Sequence, residues 1–143
     1  MGLSSKKENL RMGTAHKSGA NSVLLGNASE SYECKFDTVD NIMVEKEIKK
    51  LDLLKIDVEG HDIEVLKGAV NTIRKFKPAI QVEITKSDNA YFPNYDLDWL
   101  LKLLSEFSCE IFEIYKGKVI PVPDLNEFFK RNRIQNDLFI VIE

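Results

Sequence analysis

An apolar run that stops on carboxylates constrains this chain more than any other feature. The run "LDLLKIDV" covers residues 51–58, and Glu59, Gly60 and His61 follow it directly. Its density of Leu, Ile and Val suits a strand covered on both faces, as parallel strands are. After the glycine, Ile63, Leu66, Val70 and Ile73 recur at the spacing of one helical stripe. Asp62 and Glu64 open that helix and Arg74, Lys75 and Lys77 close it, so both ends complement the helix dipole. Pro78 stops it, and "AIQVEI" (79–84) reads as the next strand. Strand, helix and strand within about 35 residues have the length of a βαβ unit with parallel strands and a right-handed crossover.

That topology gives the carboxylates a meaning. In open α/β sheets, ligands bind beyond the carboxyl ends of the strands. Asp57 and Glu59 sit at such an end, before a helix N-terminus that favours their ionised forms. Gly60 lets the backbone turn sharply and approach a ligand. His61 adds a titratable ring. A carboxylate so placed can take a proton from a nucleophile, hold an amino group, or bind a divalent cation. Simple helix capping stands beside this reading, and His61 by itself reads as an exposed turn residue. Glu83, ending the next strand, would face the same crevice as Asp57 if the strands are parallel; a solvated strand end is its alternative. Lys55 is expected to run its stem along apolar neighbours and hold its charge at the rim. His16, in a polar loop, is a further candidate for touching a ligand. Trp99 and the leucines around it read as core. The segment is no calcium loop: with Asp57 as the first position, Gly60 stands fourth rather than sixth and no glutamate stands twelfth.

The remaining chain is quieter. Residues 1–31 are polar and poorly periodic and read as loop, with one short strand at "NSVLL". "YECKFD" suits a strand and "VEKEIKK" (44–50) a charged helical turn or two. "DLDWLLKLLSEF" (96–107) is a helix, "CEIFEIY", "KGK" and "VIPV" a hairpin, and Asp124 with Glu127 an aspartate variant of the capping box. "DLFIVI" (137–142) closes the sheet. The loop 85–95 and the stretch 13–22 are expected to shape a pocket.

Composition excludes several function classes. The chain has 143 residues, enough for one domain, and a net charge of -3, which disfavours a broad grip on nucleic acid. No apolar run reaches the roughly 18 residues a membrane helix needs. The N-terminus has no apolar core and is no secretory signal. "MGLSSK" fits the bare myristoylation pattern, yet no second membrane signal accompanies it. Cys34 and Cys109 are far apart and read as small hydrophobes, and a reducing, cytoplasmic setting is expected.

"LDLLKIDVEGHDIEVLKGA", followed by "KPAIQVEI", closely resembles the FkbM-type methyltransferases. The run Lys55 to Gly60 and the run Leu66 to Ala69 carry the resemblance, with "NSVLL" and "FDTVDNI" similar to the family's connecting segment. Asp62 departs from the pattern, since the family often has glutamate there. The resemblance implies an α/β, Rossmann-like fold, S-adenosylmethionine as cofactor, and methyl transfer to oxygen on a small molecule or sugar. It carries over Asp57 and Glu59 as candidate base and as acceptor- or cofactor-positioning group. It also implies that 1–143 is a single domain lacking the glycine-rich cofactor-binding half, because no Gly-x-Gly occurs in the sequence. Without the strand that normally pairs with it, the 51–58 strand becomes an apolar edge. Such an edge invites self-association, a partner chain or marginal stability. Two further functions stay open: a non-catalytic binding module or partner of a split methyltransferase, and a metal site built from Asp57, Glu59 and His61. No wider ligand set with metal spacing supports the last.

Overall fold

Among the described residues, two sheets and five helices organise the chain. The computed structural model describes residues 1–14, 21–23, 31–58, 60–85, 96–131 and 135–143. The first four strands are β1 (Gly2–Leu3), β2 (Glu8–Thr14), β3 (Asn21–Val23) and β4 (Ser31–Asp37), followed by α1 (Val39–Glu45). They form a sheet in the order β1-β4-β2-β3, with β1 parallel to β4 and the other pairs antiparallel. The expectation of loop over residues 1–31 is therefore corrected. β2 carries only Leu10 and Met12 as large apolar residues, alternating with Asn9 and Arg11, and so short an alternation does not announce a strand. Its register comes from β4, where Asn9 bonds Glu33 at 2.7 Å and Arg11 bonds Ser31 at 2.5 Å.

The second half follows as β5 (Leu53–Ile56), α2 (Asp62–Lys67), α3 (Val70–Phe76), β6 (Ala79–Thr85), α4 (Leu97–Leu104), β7 (Cys109–Tyr115), β8 (Lys118–Pro121), α5 (Leu125–Phe129) and β9 (Gln135–Ile142). The sheet order is β5-β6-β9-β7-β8. β5 and β6 run parallel with two helices between them, and β9 runs antiparallel to both β6 and β7. The β7–β8 hairpin turns on Lys116 and Gly117, with φ of 49° and 71°, the primed turn that matches strand twist.

Burial alternates cleanly along β6. Ile80, Val82 and Ile84 are buried and register against Ile140, Leu138 and Asn136 of β9. With Ile56 they join one core with Ile63, Val65, Leu66 and Ile73, the α4 leucines and Phe128. Removing about 2–3 kcal/mol of side-chain exposure at each large residue holds these layers together.

Three local expectations change. β5 was expected to be covered on both faces, yet Leu53 and Lys55 are exposed, Leu54 is half-buried and Ile56 alone is buried. The predicted turn over 44–50 is displaced: α1 begins at Val39, because the Thr38 hydroxyl accepts from the Asn41 N–H at 3.0 Å, and it ends at Glu45. The helix predicted after Gly60 breaks in two at Gly68 and Ala69. The Ser4 carbonyl lies 2.1 Å from where a Cβ on Gly68 would stand, and the Asp40 N–H donates to the Gly68 carbonyl at 2.9 Å. The chain packs against the break so closely that only glycine fits.

Candidate active site

The parallel ladder fixes where the carboxylates lie. Leu53 pairs with Ala79 and Ile56 with Val82. Asp57 follows β5 directly, whereas Glu83 does not end its strand as expected: it pairs with Asp137 of β9, two residues short of the end of β6 at Thr85. The strands are parallel, as a shared crevice requires.

Asp57 is half-exposed, its side chain 48% accessible, and it forms an ion pair with Lys55 at 3.2 Å. A pair this exposed contributes about 0–1 kcal/mol. Its ammonium keeps a positive charge beside the Asp57 oxygens at the mouth of the strand. Lys55 thus carries its charge at the rim, as expected.

The turn after Asp57 is held by a residue whose role the sequence does not announce. Asp62, the first residue of α2, is 2% exposed. One of its oxygens accepts from the Val58 N–H at 3.3 Å and the other from the Gly60 N–H at 3.1 Å. The carboxylate thereby clasps the turn that precedes its own helix. Gly60 sits at φ 89°, a conformation that side chains rarely adopt. Burial pushes the Asp62 carboxyl up to about 6, the two N–H bonds pull it back, and the charge of Glu83 raises it further. That last effect brings the β6 carboxylate into the same electrostatic neighbourhood. The position of this acid in the first turn points by itself only to the helix dipole. An Asp just after a glycine bend was the available signal.

His61 is not the exposed turn residue expected. Its ring is 9% exposed, its Nε2 lies 3.0 Å from the Ser4 hydroxyl, and Phe36 meets it edge-on at 5.9 Å. Burial lowers its pKa, while Glu64 and Glu8 oppose that shift. Ser4 is itself buried. The ring therefore ties the N-terminal segment to α2, and its surroundings give a role as base at the strand end no support. Beside it, Glu64 accepts from the Ser5 hydroxyl at 2.5 Å and from Lys67 at 2.9 Å. Lys67 reaches Asp96 at 3.3 Å and lies over the Trp99 ring. Burial would raise the Glu64 carboxyl, but these partners win and lower it.

Glu59 and His16 lie outside the described residues, as do the loop 86–95 and most of the stretch 13–22 expected to shape a pocket. Among the described residues, no group of three or more His, Cys, Asp or Glu could hold a metal ion. Among them too, no helix is long and apolar enough to cross a membrane.

The family model for the methyltransferase FkbM domain matches residues 2–111. The chain belongs to the FkbM methyltransferase family. The match spans β1 through the start of β7 and takes in the whole β5–turn–α2 unit. No curated protein and no solved structure matches the chain. In this FkbM domain Asp57, the Gly60 bend and the Asp62 clasp all lie in the short segment between β5 and α2.

Proposed function

We propose that this chain is an S-adenosylmethionine-dependent methyltransferase on a Rossmann-like parallel βαβ core, with an oxygen of a small molecule or sugar as methyl acceptor. The match to the FkbM domain over residues 2–111 carries the reading. The described residues fit the cofactor in part. An exposed carboxylate at a strand end suits an ammonium group or an acceptor hydroxyl, and Asp57 supplies one. The sequence holds no Gly-x-Gly whose backbone would cradle an adenosine. When bound, the cofactor supplies an activated methyl group. The chain's own residues then position the acceptor and remove its proton. In this reading Asp57 takes the hydroxyl proton, Glu83 hydrogen-bonds the acceptor from the neighbouring strand, and Asp62 acts through the turn as a positioning residue. Glu59 is proposed as the second acceptor- or cofactor-positioning carboxylate.

Calorimetric titration of the chain with S-adenosylmethionine is the first test, followed by turnover on a panel of sugars and hydroxylated small molecules. Binding below millimolar and measurable turnover are expected. Asp57→Asn should keep cofactor binding and lose about 10²–10⁴-fold in transfer. Full activity in that variant removes Asp57 from the mechanism. The missing glycine motif favours a second reading, a non-catalytic partner in a split methyltransferase. Absence of binding below millimolar supports that reading instead.

A further inference from the structure

We infer that the tip of the β7–β8 hairpin docks on the surface of anionic lipid bilayers. The hairpin closes the sheet on the side away from β5, with β6, β9 and β7 in between. Lys116 and Gly117 join its two strands directly. Opposed residues of a strand pair share a face, and successive residues alternate between faces. Val119 therefore lies with Ile114 on one face, and Ile120 lies with Tyr115 on the other. Both faces are wet: Val119 is 65% accessible, and Tyr115 and Ile120 are each 37% accessible. A Cβ on Gly117 would meet no atom within 4 Å, so the turn itself stands in open space.

The apolar surface thus wraps around the tip rather than lying on one side of it. A folded partner covers one face of such a pair, or adds a strand along its edge. The interfacial layer of a bilayer surrounds what enters it and covers both faces at once. The dimensions agree. From Gly117 to Ile120 the strand runs roughly 10 Å, and interfacial elements sink about 5–10 Å into the boundary of headgroups and acyl chains. Charge selects the lipid. Lys116 and Lys118 stand on either side of Gly117, and neither has an ion-pair partner among the described residues. Lys116 lies over the Tyr115 ring at 5.2 Å, an aromatic and an ammonium of the kinds favoured at headgroup level. The chain's net charge of -3 opposes approach to an anionic surface, so the contact depends on these two lysines and fades with salt. Three apolar side chains and two charges make it weak and reversible. This inference stands independently of the methyltransferase reading.

Cosedimentation of the full chain with vesicles tests it, using phosphatidylcholine alone and phosphatidylcholine with about 30% phosphatidylserine. Pelleting with the anionic vesicles and not the neutral ones is expected, declining as salt rises from about 0.05 to 0.5 M. Lys116→Ala and Lys118→Ala should each weaken partitioning about fivefold. Lys49→Ala, the same loss of charge just before β5, should leave it within about twofold. Val119→Thr with Ile120→Thr keeps both lysines and the β-branched shape, so it should fold by circular dichroism and still lose most of the binding. No pelleting with anionic vesicles at the lowest salt, or pelleting indifferent to the lysine or to the threonine changes, overturns the proposal. So does self-association without lipid that the threonine variant abolishes, because a second copy then covers the tip.

Discussion

Asp62 shows how one residue's surroundings decide its chemistry. Its first-turn position is readable from sequence, but its burial and its grip on two N–H groups are not, because both depend on how the turn folds back. The carboxyl titrating at about 6 rather than 3.8 has a definite sign. The raised value means that the folded state holds the proton more tightly. Its stabilising contribution is complete below 3.8 and disappears as pH rises through about 6, a loss of at most about 3 kcal/mol. His61 works the other way: its lowered pKa favours the neutral ring, so its contribution is present above 6.5 and is lost as pH falls from there through the lowered value. Carboxyl carbon chemical shifts of Asp62 followed from pH 3 to 8 should give a midpoint near 6; a midpoint near 3.8 would show the clasp to be open to water. Asp62→Asn keeps one acceptor but turns an amide N–H₂ toward a backbone donor. A loss of about 1–3 kcal/mol in urea unfolding is expected, together with faster amide exchange at Val58 and Gly60.

Among the elements, α3 is the instructive case. The residue before it, Ala69, offers no side-chain cap. Asp40, on α1, supplies the cap from outside: one oxygen accepts from the Thr72 N–H and hydroxyl at 2.7 Å, the other from the Asn71 N–H at 3.1 Å. A local pattern cannot reveal a cap 31 residues away in sequence. Asp40→Ala should cost about 1–3 kcal/mol, and hydrogen exchange at Asn71 and Thr72 should quicken ahead of the β6 amides. Unchanged exchange there would show α3 to be held by packing alone. Gly68→Ala presses a methyl on the Ser4 carbonyl. A loss of about 1–3 kcal/mol is expected from the forced backbone shift, read as a lowered unfolding midpoint. By contrast the α5 cap was legible, because Asp124 accepts from the N–H three residues on.

Across the whole molecule, the segment that names the family and the segment that holds the site's geometry are the same one. The charge and apolar pattern of 51–84 established a strand, a helical stripe and a second strand, since the period of burial is written in the side chains themselves. Position along the chain also determined that Asp57 follows the first of those strands, while the second runs on past Glu83 to Thr85. Tertiary structure decided the rest. It made a sheet of the polar residues before Ser31, because exposed strands need partners rather than an apolar face. It buried His61 against Ser4 and Phe36, left one face of β5 in water, and turned a first-turn aspartate into the clasp of the turn that follows Asp57. Each of those outcomes depends on contacts between residues far apart in sequence, and hydrophobic periodicity reports only on neighbours.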